Sequence, residues 1–203
     1  MSTYKVLKDF PGKKRMFKAG EIVERPANHP RTELLLQEGY IESPYGATVD
    51  AWEKGGIVSK LANILIAPED YAEGDRKHFT WDEAMKIEKK LPAGWRLPTR
   101  RELALICEEF ACDKNGRLSP DLLENRLKFK KNGFTAGDAF DDSSSLYAAG
   151  SNGYYWSSTA NASSSAYYLS FASGGIYPAN YSNKYLGHSV RCVKDLEGED
   201  DER

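Results

Sequence analysis

Cysteine and histidine are the side chains best suited to nucleophilic, redox or metal chemistry. The 203-residue chain holds three of each: Cys107, Cys112 and Cys192, and His29, His78 and His188. Three cysteines at irregular intervals make neither a disulfide framework nor a zinc site. Cys107 falls on the apolar face of a helix pattern and Cys192 in a strand pattern, so both read as buried structural thiols. A Cys107–Cys192 disulfide would need an oxidising site, and the role of Cys112 stays open. The histidines are too far apart in sequence to define a triad. Asp138, Asp141 and Asp142 share one loop and could hold a cation, but three acids in a loop are more often simply solvated. Asp113-Lys-Asn115 followed by Glu124 comes near an EF-hand loop and fails it, because Arg117 takes a ligand position and Leu118 the place of the required glycine. No phosphate-cradling glycine loop, nucleophile elbow or His-Glu-x-x-His helix is present. These residues predict a protein that is not an enzyme, with no cofactor and no metal.

The distribution of charge is more informative. Of 28 basic and 30 acidic residues, only Lys184 lies between Ser143 and His188. That stretch of 46 residues holds 12 Ser, 8 Tyr, 7 Ala, 5 Gly and 4 Asn. Ordinary surface loops use Lys and Glu freely. Eight tyrosines with Trp156, Leu169 and Phe171 carry too much apolar area for a disordered tract. Tyr supplies stiff, amphipathic contact area, and Ser, Gly and Asn supply adaptable hydrogen bonds; antibody binding loops use the same mixture. A net charge of −2 argues against a nucleic-acid partner. The clusters Lys13-Lys-Arg15 and Lys128-Phe-Lys-Lys131 read as loop charge. No stretch is apolar enough to span a membrane, and Met1 to Asp9 lacks the apolar core of a secretion signal. Synthesis in a reducing cytoplasm follows, with release inside a virus particle needing no signal.

The elements that must position these residues fall into two units. Residues 1–45 read as a small β-rich module. Tyr4 to Phe10 and Phe17 to Glu24 are its strand candidates, Pro11-Gly12 is a turn, and Pro30 to Gln37 is a short helix capped by Gly39. The module is similar to the SH3-like units at the start of many phage structural proteins. Residues 46–56 read as a linker on Gly46, Gly55 and Gly56. Residues 57–195 form the second domain, and 196–203 an acidic tail. Asn63 to Ala67 is a buried strand. Thr80-Trp-Asp-Glu83 and Thr99-Arg-Arg-Glu102 are capping boxes. The first opens a helix with Trp81, Ala84, Ile87 and Leu91 on one face, the second a helix with Leu103, Ile106, Cys107 and Phe110 facing the core. Ser119-Pro120 starts a third helix. Ala166 to Ala172 alternates, which points Tyr167, Leu169 and Phe171 inward and Tyr168, Ser170 and Ala172 outward. Ser189 to Val193 is the closing strand, with Val190 and Cys192 inward.

Four motifs carry a resemblance: Gly94-Trp-Arg-Leu-Pro-Thr99 followed by Glu102-Leu103; Tyr155-Trp-Ser-Ser-Thr159; Ala166-Tyr-Tyr-Leu-Ser-Phe171; and Ser189-Val-Arg-Cys-Val-Lys194. In order and spacing the chain resembles the Fibrobacter succinogenes major paralogous domain across residues 56–195. The resemblance implies an α+β, C-type-lectin-like fold of the formylglycine-generating-enzyme type. Members are often the variable proteins of diversity-generating retroelements, in which an error-prone reverse transcriptase alters template adenines and the copy overwrites the 3′ part of the gene. Altered AAC codons cannot encode Lys, Glu, Gln, Met or Trp. Between Ser143 and His188 there is no Glu, Gln or Met, one Lys and one Trp, so the composition fits. The formylglycine-generating relatives use a reactive cysteine pair, which this chain lacks. The sugar-binding triplets of calcium lectins are also missing, since Trp156 is followed by Ser157-Ser158.

The resemblance further implies a division of labour within a variable region at about 143–192. Trp156, Ser157, Ser158, Tyr167, Leu169, Phe171, Val190, Arg191 and Cys192 belong to fixed motifs. Arg96 and Arg191 lie inside those motifs, and either could pair with a buried carboxylate, which would serve structure and not catalysis. The changeable contact surface would comprise Asn161, Ala162, Ser164 and Ser165, then Tyr168, Ser170 and Ala172, then Gly174, Tyr177, Ala179, Asn180, Tyr181, Ser182, Tyr185 and His188. His188 has a second reading as scaffold, because its position is often aromatic in the family. Gly175, Pro178 and Gly187 read as turn residues. The implied partners are a protein or glycan on a target cell surface, reached from a virion or other carrier through the N-terminal module. Neither nucleic acid nor membrane is implied, and a homo-oligomer would raise avidity.

Overall fold

The structure is a computed structural model that describes residues 2–6, 8–11, 16–19, 21–25, 35, 41–42, 52, 54–91, 94–135 and 146–196. Ser143, Asp138, Asp141 and Asp142, most of the expected helix at 30–37 and the tail beyond Leu196 lie outside the described residues.

The N-terminal part is β-rich. β1 (Ser2–Val6), β2 (Phe10–Pro11), β3 (Met16–Phe17), β4 (Ile22–Arg25) and β5 (Ile41–Glu42) form two small antiparallel sheets, in the order β4-β1-β5 and as the pair β2-β3. The strand expected from Tyr4 to Phe10 is broken into β1 and β2, and the one from Phe17 to Glu24 into β3 and β4. Asp9 explains the first break. Its carboxylate accepts the Ala19 N–H at 2.9 Å and pairs with Lys18 at 2.7 Å, so it ties down the β2–β3 hairpin instead of joining a ladder.

Trp52 corrects the linker expectation. It is 2 % exposed, its Nε1 donates to Glu69 at 3.2 Å, and its ring meets Trp95 edge-on at 5.2 Å. Gly56 permits this packing, because a Cβ there would lie 2.6 Å from the Trp52 carbonyl oxygen. Gly56 therefore serves close approach.

The rest of the chain is a mixed α+β domain. β6 (Ile57–Ser59), β7 (Ile64–Ile66) and β8 (Trp95–Arg96) join the last strand in one four-stranded sheet. The helices are α1 (Trp81–Ile87), α2 (Arg100–Ala111) and α3 (Pro120–Leu127). β9 (Phe134–Thr135) pairs with β10 (Leu146–Tyr147), and β11 (Asn152–Ala160), β12 (Ser165–Ala172) and β13 (Gly175–Asn183) form an antiparallel three-stranded sheet. β14 (Val193–Asp195) inserts between β7 and β8 and closes the domain on its own beginning.

Local signals set the helices. Glu102 N–H donates to the Thr99 hydroxyl at 3.2 Å while the Thr99 N–H donates to the Glu102 carboxylate at 2.7 Å, a complete capping box. Glu83 accepts both the N–H and the hydroxyl of Thr80 at 2.9 Å. Pro120 occupies the first turn of α3, where a missing N–H costs nothing. Lys128 stops that helix in the left-handed conformation, φ 54°. On the expected inner faces, Ala84 and Ile87 of α1, Leu91 beyond its end, and Leu103, Ile106 and Cys107 of α2 are buried, while Trp81 and Phe110 are half-buried.

Two apolar clusters sandwich the three-stranded sheet. One holds Trp52, Phe79, Trp95, Trp156, Tyr168, Val190 and Cys192; the other holds Leu103, Ile106, Leu123, Phe129, Tyr155, Leu169 and Phe171. Neighbouring residues of β11 and β12 therefore enter different clusters, and these strands are buried on both faces. Gly153 marks the tightest contact. A Cβ there would sit 2.3 Å from the Phe171 ring and 2.8 Å from the Lys130 carbonyl oxygen. Gly153→Ala is expected to cost about 1–3 kcal/mol through overpacking, read as a lower urea midpoint; an unchanged midpoint would show that the ring has room to move.

Candidate functional site

Residues facing each other across an antiparallel pair share one face of the sheet. The pairings Trp156↔Tyr168↔Asn180 and Tyr154↔Ser170↔Tyr177 put two rows on one face. Gly153↔Phe171↔Ile176 and Tyr167↔Tyr181 lie on the other. β13 is an edge strand, so its side chains have a neighbour on one side only. Tyr177 is 57 % exposed, Tyr181 60 % and Tyr185, just beyond the strand, 54 %. The register of β13 against β12 shifts between Tyr168 and Ser170, where Pro178 and Ala179 stand between the paired Tyr177 and Asn180. Pro178 has no N–H to donate and fits a bulge in an edge strand. It is a strand residue, not the turn residue its type suggested. Gly187 is likewise packed, with a Cβ there only 2.0 Å from Thr135 Oγ1.

The proposed contact residues fall into separate groups. Asn161, Ala162 and Ser164 are exposed at the tip of the β11–β12 hairpin, with Ser165 half-buried beside them. The tip is joined to the end of β13, since Ser165 pairs with Asn183 and the Lys184 N–H donates to the Ser164 carbonyl at 2.9 Å. Tyr177, Ala179, Asn180 and Tyr181 are exposed along β13, and Ser182 is half-buried. Ala172 is half-buried and Gly174 exposed at the opposite end of β12, roughly 25 Å from the tip by strand rise.

Three of the proposed residues are not on the surface. Tyr168 is 8 % exposed, Ser170 7 % and His188 1 %. The outward reading of Tyr168 and Ser170 assumed a sheet with one wet face, whereas β12 is a middle strand covered on both. His188 is scaffold. Its ring lies 4.2 Å from Trp156, 4.8 Å from Tyr168 and 5.4 Å from Tyr154, and its Nε2 is 3.2 Å from the Ser182 hydroxyl. Its backbone exchanges two hydrogen bonds of 3.0 Å with Phe79. Burial pushes its pKa down to about 3.

Sequence reasoning missed three contributors. Tyr147, 48 % exposed, stacks on Phe134, which meets Tyr154 edge-on. Tyr154 shares its face with Trp156 by alternation, a signal that was available. Tyr167, expected inward, is half-buried on the side of α2, and the Arg100 guanidinium lies 4.5 Å above its ring. Nothing local in the sequence connects Arg100 to Tyr167.

The Trp156-Ser157-Ser158 motif holds this surface from below. Trp156 Nε1 donates to the Phe79 carbonyl at 2.8 Å, Ser157 Oγ to the Tyr167 carbonyl at 2.8 Å, and the Ser158 N–H to the Pro98 carbonyl at 2.8 Å. Both arginines are paired, Arg191 with a buried carboxylate and Arg96 with a half-buried and an exposed one. Arg96 bonds Glu102 through two nitrogens, at 2.9 and 2.7 Å, and also pairs with Asp195. Arg191, 1 % exposed, pairs with Asp70.

The polar candidates for chemistry are dispersed. Cys107, Cys112 and Cys192 are free thiols, with Cys107 and Cys192 in different clusters. Burial pushes the Cys107 thiol up to about 12 and raises that of Cys192 further. Asp113 accepts the N–H groups of Asn115 and Arg117, while Glu124 pairs with Lys131, so the two do not converge. Among the described residues no three His, Cys, Asp or Glu side chains gather as metal ligands. Among them too, no helix is long and apolar enough to cross a membrane.

The family model described as the Lcl C-terminal domain matches residues 51–194, from just before the buried Trp52 to the closing strand. No curated protein matches the chain.

Proposed function

Because the chain belongs to the Lcl C-terminal domain family over most of its length, we propose that it is a non-enzymatic ligand-binding protein, the variable protein of a diversity-generating retroelement. On this reading its C-terminal domain is a C-type-lectin-like scaffold that displays a changeable surface. One observation carries it. Tyr177, Tyr181 and Tyr185 are each more than half exposed on an edge strand and its following turn, in a stretch whose only charge is Lys184. Exposed tyrosines with Asn and Ser neighbours are the composition of a binding surface. Buried, weakly acidic Cys107 and Cys192 favour binding over thiol catalysis. The ligand is a protein or glycan on a target cell. The N-terminal module attaches the domain to a virion or other carrier, and display in several copies makes later contacts intramolecular.

Sequencing this gene through a natural population tests the reading. Substitutions are expected at exposed positions such as Asn161, Asn180, Tyr177 and Tyr181, on template adenines, sparing Trp156, Leu169 and Arg191. Variation spread evenly through the gene would reject diversification and leave an adhesive protein of fixed specificity. The separation of scaffold from display also has a stability signature. Tyr177→Ala is expected to change stability by no more than about 0.5 kcal/mol, whereas Tyr168→Ala should cost about 3 kcal/mol or more. Equal losses in chemical denaturation would mean that β13 is core.

A further inference from the structure

We propose that Arg100, which lies outside the variable segment, is a fixed part of the binding surface and receives a carboxylate from an acidic segment of a protein partner. The proposal rests on the binding reading above and names the chemistry of its ligand.

The position of Arg100 is set by backbone. It is the first residue of α2, and its N–H donates to Thr159 Oγ1 at 3.1 Å, which fastens the helix to the end of β11. From there the exposed side chain lies over Tyr167, with the guanidinium carbon 4.5 Å from the ring centre. Tyr167 in turn meets Tyr181 edge-on at 6.2 Å, and the two are paired across β12 and β13. An arginine over one tyrosine, with a second, 60 % exposed tyrosine beside it, is therefore presented to solvent.

The guanidinium has no carboxylate partner among the described residues, unlike Arg96 and Arg191, which are both paired. The segment that forms the surrounding sheet contains no acid from Ser143 to His188. Lys184, the one charge in it, lies 4.2 Å over the Trp81 ring and also lacks a carboxylate among the described residues. Both cations attach to the same hairpin, Arg100 through Thr159 and Lys184 through Ser164. Two cations without a carboxylate among the described residues thus flank that end of the sheet, in a chain of net charge −2. Charge complementarity then calls for a negative group on the partner. A planar guanidinium held by stacking is pre-organised for bidentate binding of a carboxylate. Tyr and Arg together are the residues that dominate protein–protein contacts. Diversification would alter Tyr181 and its neighbours while every variant kept the Arg100 anchor.

Panning the full chain against a random displayed peptide library tests this, with Arg100→Gln, Arg101→Gln and Tyr181→Ala run in parallel. Arg101 is exposed on the same helix and serves as the control. The Thr159 bond uses the Arg100 backbone, so Arg100→Gln keeps it. Wild type and Arg101→Gln are expected to enrich peptides rich in Asp and Glu. Arg100→Gln should bind those peptides about ten- to a hundredfold more weakly, and added salt should weaken the wild type towards it. Enriched peptides without an excess of acids, or ones that bind Arg100→Gln equally, overturn the proposal. If Tyr181→Ala still abolishes their binding, the tyrosine surface stands and only the Arg100 anchor fails. If neither substitution matters, both fail. A library that enriches nothing, with binding only to arrayed glycans, overturns the protein partner, and population sequencing then judges the diversification reading by itself.

Discussion

Arg191→Met is expected to lose about 3–5 kcal/mol of stability, the cost of breaking a buried ion pair from one side. Its Nε donates to Asp70 at 2.8 Å, and one terminal nitrogen lies 2.6 Å from the same carboxylate oxygen. The remaining donors reach the carbonyls of Ala67 at 2.9 Å, Leu127 at 3.0 Å and Lys128 at 3.1 Å. The last two are orphan carbonyls at the end of α3, where a cation is favoured. The guanidinium carbon also lies 4.7 Å from the centre of the Phe129 ring. The other oxygen of Asp70 accepts from Tyr155 at 3.0 Å and from Asn132 at 3.1 Å. One side chain thus ties together the loop after β7, the end of α3 and the segment leading into β14. Methionine fills the space but leaves Asp70 charged and short of its main partner. Arg191→Lys should also lose much of the stability, because an ammonium cannot make the forked set of contacts. Urea denaturation at neutral pH reads both variants. A loss under about 1 kcal/mol for Arg191→Met would show that water reaches Asp70 and that the network is not what joins these elements.

The second large effect is on acid stability. His188 is buried among aromatic rings, and its Nδ1 has no hydrogen-bond partner among the described residues. Burial depresses its pKa from 6.5 to about 3. Above pH 6.5 the imidazole is neutral in both folded and unfolded chains, so its contribution to stability is fully present. As pH falls, the unfolded chain binds a proton that the folded chain refuses, and stability drops by up to about 1.4 kcal/mol per pH unit. The loss runs from pH 6.5 down through about 3. His78, also depressed chiefly by burial, acts in the same direction. Glu83 and Glu102 have pKa values lowered from 4.5, so their contribution is fully present well above pH 4.5 and is lost as pH falls through and below that value. Between pH 6.5 and 5 the described histidines are therefore expected to dominate. His188→Phe keeps an aromatic ring in the box and should flatten urea midpoints across that interval by about 2 kcal/mol relative to wild type. Parallel midpoint curves for the two proteins would mean that His188 takes its proton without unfolding the box.

The domain's helices were legible because their causes are local, whereas the closing strand, expected at Ser189 to Val193, lies at Val193–Asp195. Thr99 with Glu102, Thr80 with Glu83, and Ser119-Pro120 mark helix starts through bonds that span one turn. The i, i+3, i+4 spacing of Leu103, Ile106 and Cys107 selects the buried face before any partner is known. Arg96 and Arg191 could be read as paired, but their carboxylates could not be named. Asp70 is far from Arg191 in sequence, and only the return of the chain beside β7 brings them together. The packing of Trp52 could not be read because a glycine such as Gly56 looks alike in a hinge and in a close contact; the Trp95 ring and the Glu69 carboxylate distinguish them.

The sequence by itself determined that the stretch from Ser143 to His188 holds a single charge, Lys184, and is rich in tyrosine, since composition requires no coordinates. It also determined where the helices of the domain begin and which of their faces are apolar, because capping and apolar spacing act within a few residues. Only the tertiary structure decided which tyrosines meet solvent. Alternation assigns residues to two faces but cannot say what covers each face. β12 lies between two apolar clusters, which buries Tyr168 and Ser170, whereas β13 lies at an edge, which leaves Tyr177 and Tyr181 exposed. The meeting of Arg100 with Tyr167 belongs to the same class. It depends on where a helix docks on a sheet, which is set by the whole of the packed interior.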